Sequence, residues 1–308
     1  MKKRKLKSAA GLLFSLCISV CLFFTGCKTL SLQNKQIDLF TLFDDGADVY
    51  LHIPVNEANK SFVRNLVNSW TDDINESDLN NMLNRTEEIA AAFFIEWSAN
   101  LKSTVKFQLA SRGKYPSLLI NAGLTKKNGW TDVSEKAADM ILNRKRHSNN
   151  IELASPDNNH IFISNKDVLS MQKKYFLYLI SPASTPDWPS LPGENTALPV
   201  RTLMDDAELV SVYMPTAGSL LPKMVGSPIE LGIKYAAGTL KSYKEDHAIV
   251  TLKLQMSDER SLKIAEKLFR FAVLGTNIIV KQDRGTVLIL DNFVVWPAAL
   301  TGLLQKKR

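Results

Sequence analysis

The chain has 308 residues, of which 45% are hydrophobic and 22% are charged, so it can bury a substantial core and is not disordered by composition. Of its formal net charge of +7, five positive charges lie within the first seven residues, which leaves a nearly neutral remainder. Because nucleic-acid binding needs a sustained basic face, this distribution argues against a nucleic-acid partner.

The N-terminal segment has the layout of a secretory signal peptide. A basic stretch at residues 2–7 is followed by an uncharged, mainly apolar run at residues 8–25 and by Gly26 and Cys27. A basic, then apolar, then small-residue order is typical of exported proteins, and it predicts a signal peptide over residues 1–26. The alternative is an uncleaved membrane anchor, because about 18 uncharged residues could just span a bilayer.

The end of that segment, TGC at residues 25–27, resembles a bacterial lipobox. The resemblance implies that the sulfur of Cys27 is diacylated, that Cys27 becomes the first mature residue, and that membrane lipid is its partner. Phe24 stands where leucine is commonest, as in the looser lipoboxes of spirochaetes. Cys17 and Cys21 lie in the removed segment, so neither a disulfide nor a cysteine-ligated metal site could form within one mature chain.

The rest of the chain contains two pairs of similar stretches. Residues 42–54 align without a gap with residues 203–215, and residues 151–165 align with residues 278–292. Such internal similarity predicts a duplicated unit. We therefore predict a lipidated tether at residues 27–41 and a first repeat at residues 42–180. A proline-rich linker with five prolines follows at residues 181–200, and a second repeat spans residues 201–308.

Both repeats show corresponding elements. After the first strand, each has a segment with helical apolar spacing, which holds Phe62, Val63, Leu66, Val67 and Trp70 in one repeat and Leu220, Leu221, Met224 and Val225 in the other. Two strand-like runs follow in each repeat, and then a second helix is predicted. Its apolar positions are Val133, Ala137, Met140 and Ile141 in the first repeat, and Leu262, Ala265, Leu268, Phe269 and Ala272 in the second.

The predicted fold class follows from that order. Each repeat reads roughly β-α-β-β-α-β-β, and a final strand, turn and strand closes each copy. Runs of antiparallel strands with intervening helices indicate an α+β protein of two pseudo-repeats, mostly antiparallel sheet with helices packed on one side.

No motif in the sequence supports catalysis, a cofactor or a metal. The four histidines are His52, His147, His160 and His247, and they lack metal-ligand spacing. Adjacent aspartates at residues 44–45, 72–73 and 205–206 suit turns before strands better than acid–base chemistry. An enzyme would need His52 or His160 to meet an aspartate in a cleft, so we predict a non-enzymatic protein without cofactor.

An amphipathic segment at the C-terminus is the main candidate for membrane contact. Its apolar residues recur with the spacing of one helix face, and a cationic cluster follows them, as in interfacial helices. The alternative is an ordinary core helix whose terminal lysines favour the helix dipole. The candidate residues are Trp296, Leu300, Leu303, Leu304, Lys306, Lys307 and Arg308.

A lipidated α+β body with several amphipathic helices and no catalytic motif resembles the treponemal outer-membrane lipoproteins. In some members of that group, helices insert into the inner leaflet, which implies a lipid-anchored envelope protein whose amphipathic helices contact membrane. Lys28 follows Cys27, and by the sorting rule of enteric bacteria the absence of an aspartate at that position favours the outer membrane. We also expect the body to face the periplasm. The alternative is a binding module that holds an apolar ligand, such as a lipid, or another envelope protein between the two repeats.

Overall fold

The computed structural model describes residues 37–70, 76–98, 103–137, 140–180, 209–225, 231–244 and 247–295. Six α-helices and twelve strands lie in these ranges. The helices are α1 (Lys60–Trp70), α2 (Glu76–Arg85), α3 (Ser117–Gly123), α4 (Val168–Ile180), α5 (Ala217–Val225) and α6 (Glu259–Ala272). Two short 3-10 helices, η1 and η2, span Leu39–Leu42 and Lys126–Asn128.

All twelve strands form one antiparallel sheet, in the order β11-β12-β10-β9-β8-β1-β2-β3-β7-β6-β5-β4. The strands are β1 (Val49–Pro54), β2 (Thr86–Trp97), β3 (Ser103–Gly113), β4 (Trp130–Ala137), β5 (Met140–His147), β6 (Glu152–Ala154), β7 (His160–Ser164), β8 (Ser211–Met214), β9 (Ile233–Lys244), β10 (His247–Met256), β11 (Ile279–Gln282) and β12 (Val287–Val295). The predicted α+β class with mostly antiparallel strands is confirmed.

The sheet joins the two parts of the chain at its centre, where β1 pairs with β8. Leu51 lies opposite Val212, and Tyr50 lies opposite Tyr213. Strands of residues 42–180 extend to one side of this joint and strands of residues 201–308 extend to the other. A single continuous sheet therefore carries both parts of the chain.

Helices cover both faces of the sheet, whereas the sequence predicted helices on one side. On the front face, which carries Tyr50 and His52, the ring of Phe40 from η1 lies 6.2 Å from that of Tyr50, and the ring of Tyr175 from α4 lies 5.5 Å from that of Phe162. On the back face, which carries Ile53, helices α1 and α2 form a buried cluster with β1, β9 and β10. Because successive residues of a strand point to opposite faces of the sheet, β1 contributes buried side chains to both faces.

Helices α5 and α6 pack on the back face of the second part. Ala217 of α5 and Leu262 and Ala265 of α6 share one core cluster with Leu254 and Leu288 of the sheet. The predicted helix after Ser257 is confirmed, and it begins at Glu259 with Asp258 as its N-cap.

The second helix predicted for the first repeat is wrong, because its residues form the hairpin of β4 and β5. Val133 and Ala137 lie in β4, and Met140 and Ile141 lie in β5. Cross-strand charges favour the hairpin: Lys145 Nζ lies 2.6 Å from an oxygen of Asp132. Leu142 is the residue that becomes buried, at 1% exposure, while Ile141 is 67% exposed.

The residues just before residue 42 pack on the body of the protein. Leu39, Phe40 and Leu42 of η1 are at most 1% exposed, and η1 packs against α4, β2 and β3. Asp38 caps η1 by accepting a hydrogen bond from the N–H of Phe40 at 3.1 Å. The compact body therefore begins before residue 42, at Asp38.

Candidate membrane-contact surface

Helix α6 is stabilised at its start by a carboxylate cap. Asp258 Oδ1 accepts a hydrogen bond from the N–H of Ser261 at 2.7 Å, and Oδ2 accepts from the hydroxyls of Ser257 and Ser261. The backbone hydrogen bond from Ser261, followed by those of the two hydroxyls, lowers the pKa of Asp258. The helix is thus well defined at its first turn, which faces solvent.

The inner face of α6 anchors it to the sheet. Leu262 is 5% exposed and Ala265 is fully buried, and Phe269 and Val273 are partly buried against the same cluster. These four residues are spaced by three and four positions, which places them on one side of a helix. They account for the packing of α6, so other apolar residues of this helix need a different explanation.

The opposite side of α6 exposes a second apolar row. Ile264 is 48% exposed, Leu268 is 46% exposed and Phe271 is 76% exposed, and Leu274 just after the helix is 72% exposed. The spacing of four, three and three residues aligns them along the solvent side. We call these four residues the outer row. Isolated exposed apolar residues are normal, but a contiguous row marks an interaction surface.

Cations flank the outer row. Arg260, Lys263 and Lys267 are exposed, and they make no ion pair within the described part of the chain. Together with Glu259 and Ile264, they line a shallow surface depression. An apolar row beside lysine and arginine suits the boundary between acyl chains and phosphates in a bilayer.

Glu266, an acidic residue of α6, pairs mainly with Arg270 rather than with these three cations. Glu266 accepts a hydrogen bond from Arg270 Nη2 at 2.8 Å and another from Gln282 Nε2 at 2.5 Å. The hydrogen bond from Arg270 is the main reason that the pKa of Glu266 is lowered. Its charge is therefore engaged mainly by Arg270 on the flank of α6, with a smaller contribution from the charge of Lys267.

Other exposed apolar side chains do not extend this surface. Leu177 and Ile180 of α4 are 61% and 69% exposed, but α4 packs on the front face of the sheet and α6 packs on the back face. Leu118 of α3 is 84% exposed on a seven-residue helix. The outer row of α6 is the longest exposed apolar row among the described helices.

The residues that the sequence singled out for the membrane lie outside the described residues. This holds for the lipidation candidate and for the whole C-terminal candidate segment, namely Cys27, Trp296, Leu300, Leu303, Leu304, Lys306, Lys307 and Arg308. Strand β12 ends just before them at Val295, which is partly buried against the cluster of α1 and α2.

Two further amphipathic helices considered from the sequence are mainly core. Phe62, Val63 and Leu66 of α1 are between 2% and 7% exposed, and Leu220 of α5 is 2% exposed. The apolar spacing in the sequence predicts Leu268 on the packing face of α6, and it therefore does not identify the outer row. Ile264, Leu268, Phe271 and Leu274 form a second apolar stripe in the sequence, and that stripe was a signal available without the structure.

Two of the four histidines, His52 and His160, form buried networks with carboxylates, whereas His147 and His247 are only partly buried. His52 Nε2 lies 2.9 Å from Glu88 Oε1, and Glu88 also pairs with Arg112. His160 Nδ1 lies 3.1 Å from Asp157 Oδ1, and the hydroxyl of Tyr175 donates to Asp157 Oδ2. His52 is 5% exposed and His160 is 9% exposed. Both therefore meet a carboxylate inside the sheet–helix layer.

In the second network, the pKa values of the carboxyl and of the phenol shift in opposite directions. Burial would raise the pKa of Asp157, but hydrogen bonding from His160 and Tyr175 outweighs it and lowers that pKa. Burial, together with Asp157, raises the pKa of the Tyr175 hydroxyl. Among the described residues, no group of three histidines, cysteines or acids could hold a metal ion. Across those same ranges, no helix combines the length and hydrophobicity needed to cross a membrane.

The chain is similar to a family of lipoproteins in sequence and to solved structures in fold. A sequence profile described as "Outer membrane-associated lipoprotein TP0453" matches residues 34–301. The fold resembles crystal form I of TP0453 with a TM-score of 0.61 at 19% identity, over 88% of this chain and 97% of that one. Crystal form III gives a TM-score of 0.57 at 19% identity, over 87% and 98% of the two chains. No curated protein sequence matches the chain.

Proposed function

Since the chain belongs to the family of treponemal outer membrane-associated lipoproteins that includes TP0453, we propose that it is a non-enzymatic envelope protein that touches the bilayer through the outer row of α6. Membership in this family locates the protein at the outer membrane. We further propose that the acylated Cys27 attaches it there and that the body faces the periplasm. Two or more acyl chains suffice for stable anchoring, so contact by α6 would serve function rather than attachment.

The observation that carries this proposal is the outer row with its adjacent cations. Transfer of the exposed parts of four apolar side chains into an acyl environment contributes about 1 kcal/mol each, and each cation near an anionic surface contributes about 1 kcal/mol. Together, these favourable free energies offset the free-energy cost of losing rigid-body freedom on association. The contact is therefore weak and reversible by itself and becomes effective when a lipid anchor holds α6 near the bilayer.

The C-terminal segment, residues 296–308, is the second proposed contact. Its sequence combines one apolar stripe with three terminal cations, as interfacial helices do. It follows directly on β12, whose last residue Val295 lies at the back face, the face on which α6 also packs. Support for this part rests on the sequence pattern and on that point of attachment.

The alternative of a ligand held between the two repeats has less support. Strands β1 and β8 pair directly, with Tyr50, Leu51 and His52 opposite Tyr213, Val212 and Ser211. An apolar ligand could not lie within the sheet at this joint and would need a site on one face. We therefore favour membrane contact over a ligand site at the joint.

The internal repeat remains part of the proposal, and the register at the joint supports it. In the alignment of residues 42–54 with 203–215, Leu51 corresponds to Val212, and these two residues lie directly opposite each other. A local two-fold axis at this pair would relate β1 to β8. Outward from the joint, the order is β1-β2-β3-β7-β6 on one side and β8-β9-β10-β12-β11 on the other, as a duplication with an added β4–β5 hairpin predicts.

Liposome flotation tests the α6 contact. Residues 28–308, which include the whole compact body, should float with vesicles that contain anionic lipid. Leu268→Ser with Phe271→Ser should reduce the floated fraction about tenfold, because apolar burial is lost. The matched control is Leu177→Ser with Ile180→Ser, two exposed apolar residues of α4, which should float like the parent. Equal flotation of the α6 double variant and the parent would refute a role for the outer row.

A further inference from the structure

The sheet ends in an edge strand, β4, that is unusually long for that position. Strand β4 spans eight residues, contains neither proline nor glycine, and lies at the end of the strand order. The opposite edge, β11, has only four residues, and its Lys281 lies 3.4 Å from Asp291 on the neighbouring strand. Long edges invite pairing with another strand, whereas short charged edges resist it. Within the described ranges, β4 pairs only with β5.

The free backbone groups of β4 can be assigned from the hairpin register. The N–H of Ser148 donates to the carbonyl of Gly129 at 3.0 Å, and Trp130 lies opposite His147. Hydrogen-bonded and non-hydrogen-bonded pairs alternate in an antiparallel ladder, so Thr131, Val133 and Glu135 bond toward β5. The backbone groups of Asp132, Ser134 and Lys136 therefore point away from the sheet.

The side chains at these same three positions carry a self-complementary pattern. Asp132 and Lys136 lie two residues before and two residues after Ser134, and all three are exposed. Asp132 reaches Lys145 on β5 with a side chain that is 79% exposed, while Lys136 has no ion-pair partner among the described residues. An antiparallel copy of β4 centred on Ser134 would place each aspartate opposite the lysine of the other copy.

We propose that β4 is the interface for a second copy of this chain, paired antiparallel across a two-fold axis at Ser134. Three hydrogen-bonded pairs then form: Ser134 with its counterpart, and Asp132 with Lys136 twice. Registers centred on Asp132, Glu135 or Lys136 would set like charges opposite each other, which is unfavourable, and a register centred on Val133 would oppose Asp132 to Ser134 without an ion pair. The register centred on Ser134 is the one that opposes aspartate and lysine.

Cysteine cross-linking in the full chain tests the register. In a detergent-solubilised chain whose Cys17, Cys21 and Cys27 are serine, Ser134→Cys should form a disulfide-linked dimer, because opposed Cα atoms lie about 5.5 Å apart. Lys136→Cys alone should not, because it meets its counterpart at more than about 13 Å along the strand. A mixture of Asp132→Cys and Lys136→Cys chains should cross-link again. Equal cross-linking by Lys136→Cys alone would overturn the register.

Charge exchange tests the attraction independently. Asp132→Lys should raise the dimer dissociation constant about tenfold, measured by sedimentation equilibrium in density-matched detergent, because lysine would oppose lysine twice. Asp132→Lys combined with Lys136→Asp should restore dimerisation, since the exchanged charges are again complementary. A monomeric parent chain at micromolar concentration, or a double variant no better than the single one, would overturn the proposal.

Discussion

At the scale of single residues, the structure shows which polar side chains are buried and which residues they contact. The sequence shows only that these side chains are present. Glu88 is 6% exposed and contacts both His52 and Arg112. A buried carboxylate needs such partners, because an unpaired charge inside a protein is strongly unfavourable. The paired Asp44 is similar: burial raises its pKa, but the hydrogen bond and charge of Lys166 outweigh burial and lower it. These carboxylates therefore serve the fold.

Asp157 should make the stability of the protein pH-dependent. Its pKa in the folded protein is lowered from 3.8, so its contribution is present above that value and is lost as pH falls through and below it. Asp157→Ala should lower the free energy of unfolding by about 2 kcal/mol at pH 7, because His160 and Tyr175 lose their acceptor. Urea unfolding at pH 7 and pH 3 measures both effects.

The matched control for that experiment is Asp157→Asn, which keeps the shape but cannot titrate. The stability of this variant should change less between pH 7 and pH 3 than that of the parent. An identical pH dependence in parent and variant would show that Asp157 contributes nothing to acid sensitivity.

Cys27 should be the site of acylation. Cys27→Ala should abolish labelling by radioactive palmitate and leave an unprocessed precursor, because the lipobox resemblance assigns both reactions to this residue. The measurement is a pulse-label followed by electrophoresis, with Cys21→Ala as the control that should label normally. Normal processing of Cys27→Ala would remove the basis for the lipid anchor.

At the scale of elements, the same apolar spacing led to one correct and one wrong prediction. In α6 the stripe of Leu262, Ala265 and Phe269 packs on the sheet, and a capping aspartate begins the helix. The stretch around Val133 had the same spacing and a similar start, yet it forms β4. Polar residues on both sides of β4 suit an edge strand, and the cross-strand charges of β5 stabilise the hairpin.

The C-terminal segment should be dispensable for the body. A stop after Pro297 should leave the fold intact and reduce flotation with anionic vesicles, because Leu300, Leu303, Leu304 and the terminal cations are lost. Near-ultraviolet circular dichroism checks the fold, and flotation checks the contact. If the truncated chain unfolds instead, the segment is part of the core rather than a membrane contact.

At the scale of the whole molecule, one sheet and one shared core connect the two parts. Ile53 and Phe62 of the first part lie in the same buried cluster as Leu240 and Ala248 of the second. Asn65 Nδ2 donates to the hydroxyl of Tyr243 at 2.8 Å across the same contact. Two independent domains would not share buried side chains in this way.

The two parts should therefore unfold together. Leu240→Ala should lower the free energy of unfolding by about 3 kcal/mol, since Leu240 is 5% exposed in the shared cluster. Urea transitions followed by circular dichroism and by tryptophan fluorescence should coincide in parent and variant. Separate transitions, of which only one shifts in the variant, would show that the parts are independent.

The sequence by itself determined the local features of this protein. The antiparallel strands β2 and β3, the hairpins β6–β7 and β11–β12, the start of α6 and the lack of catalytic motifs follow from alternation, turn residues and caps, which act over a few residues. Family membership supports the predicted outer-membrane lipoprotein. Only the tertiary structure decided which apolar stripe of α6 is buried, that helices cover both faces, and that η1 is core. Each depends on contacts between distant residues, and periodicity along the chain does not specify those contacts.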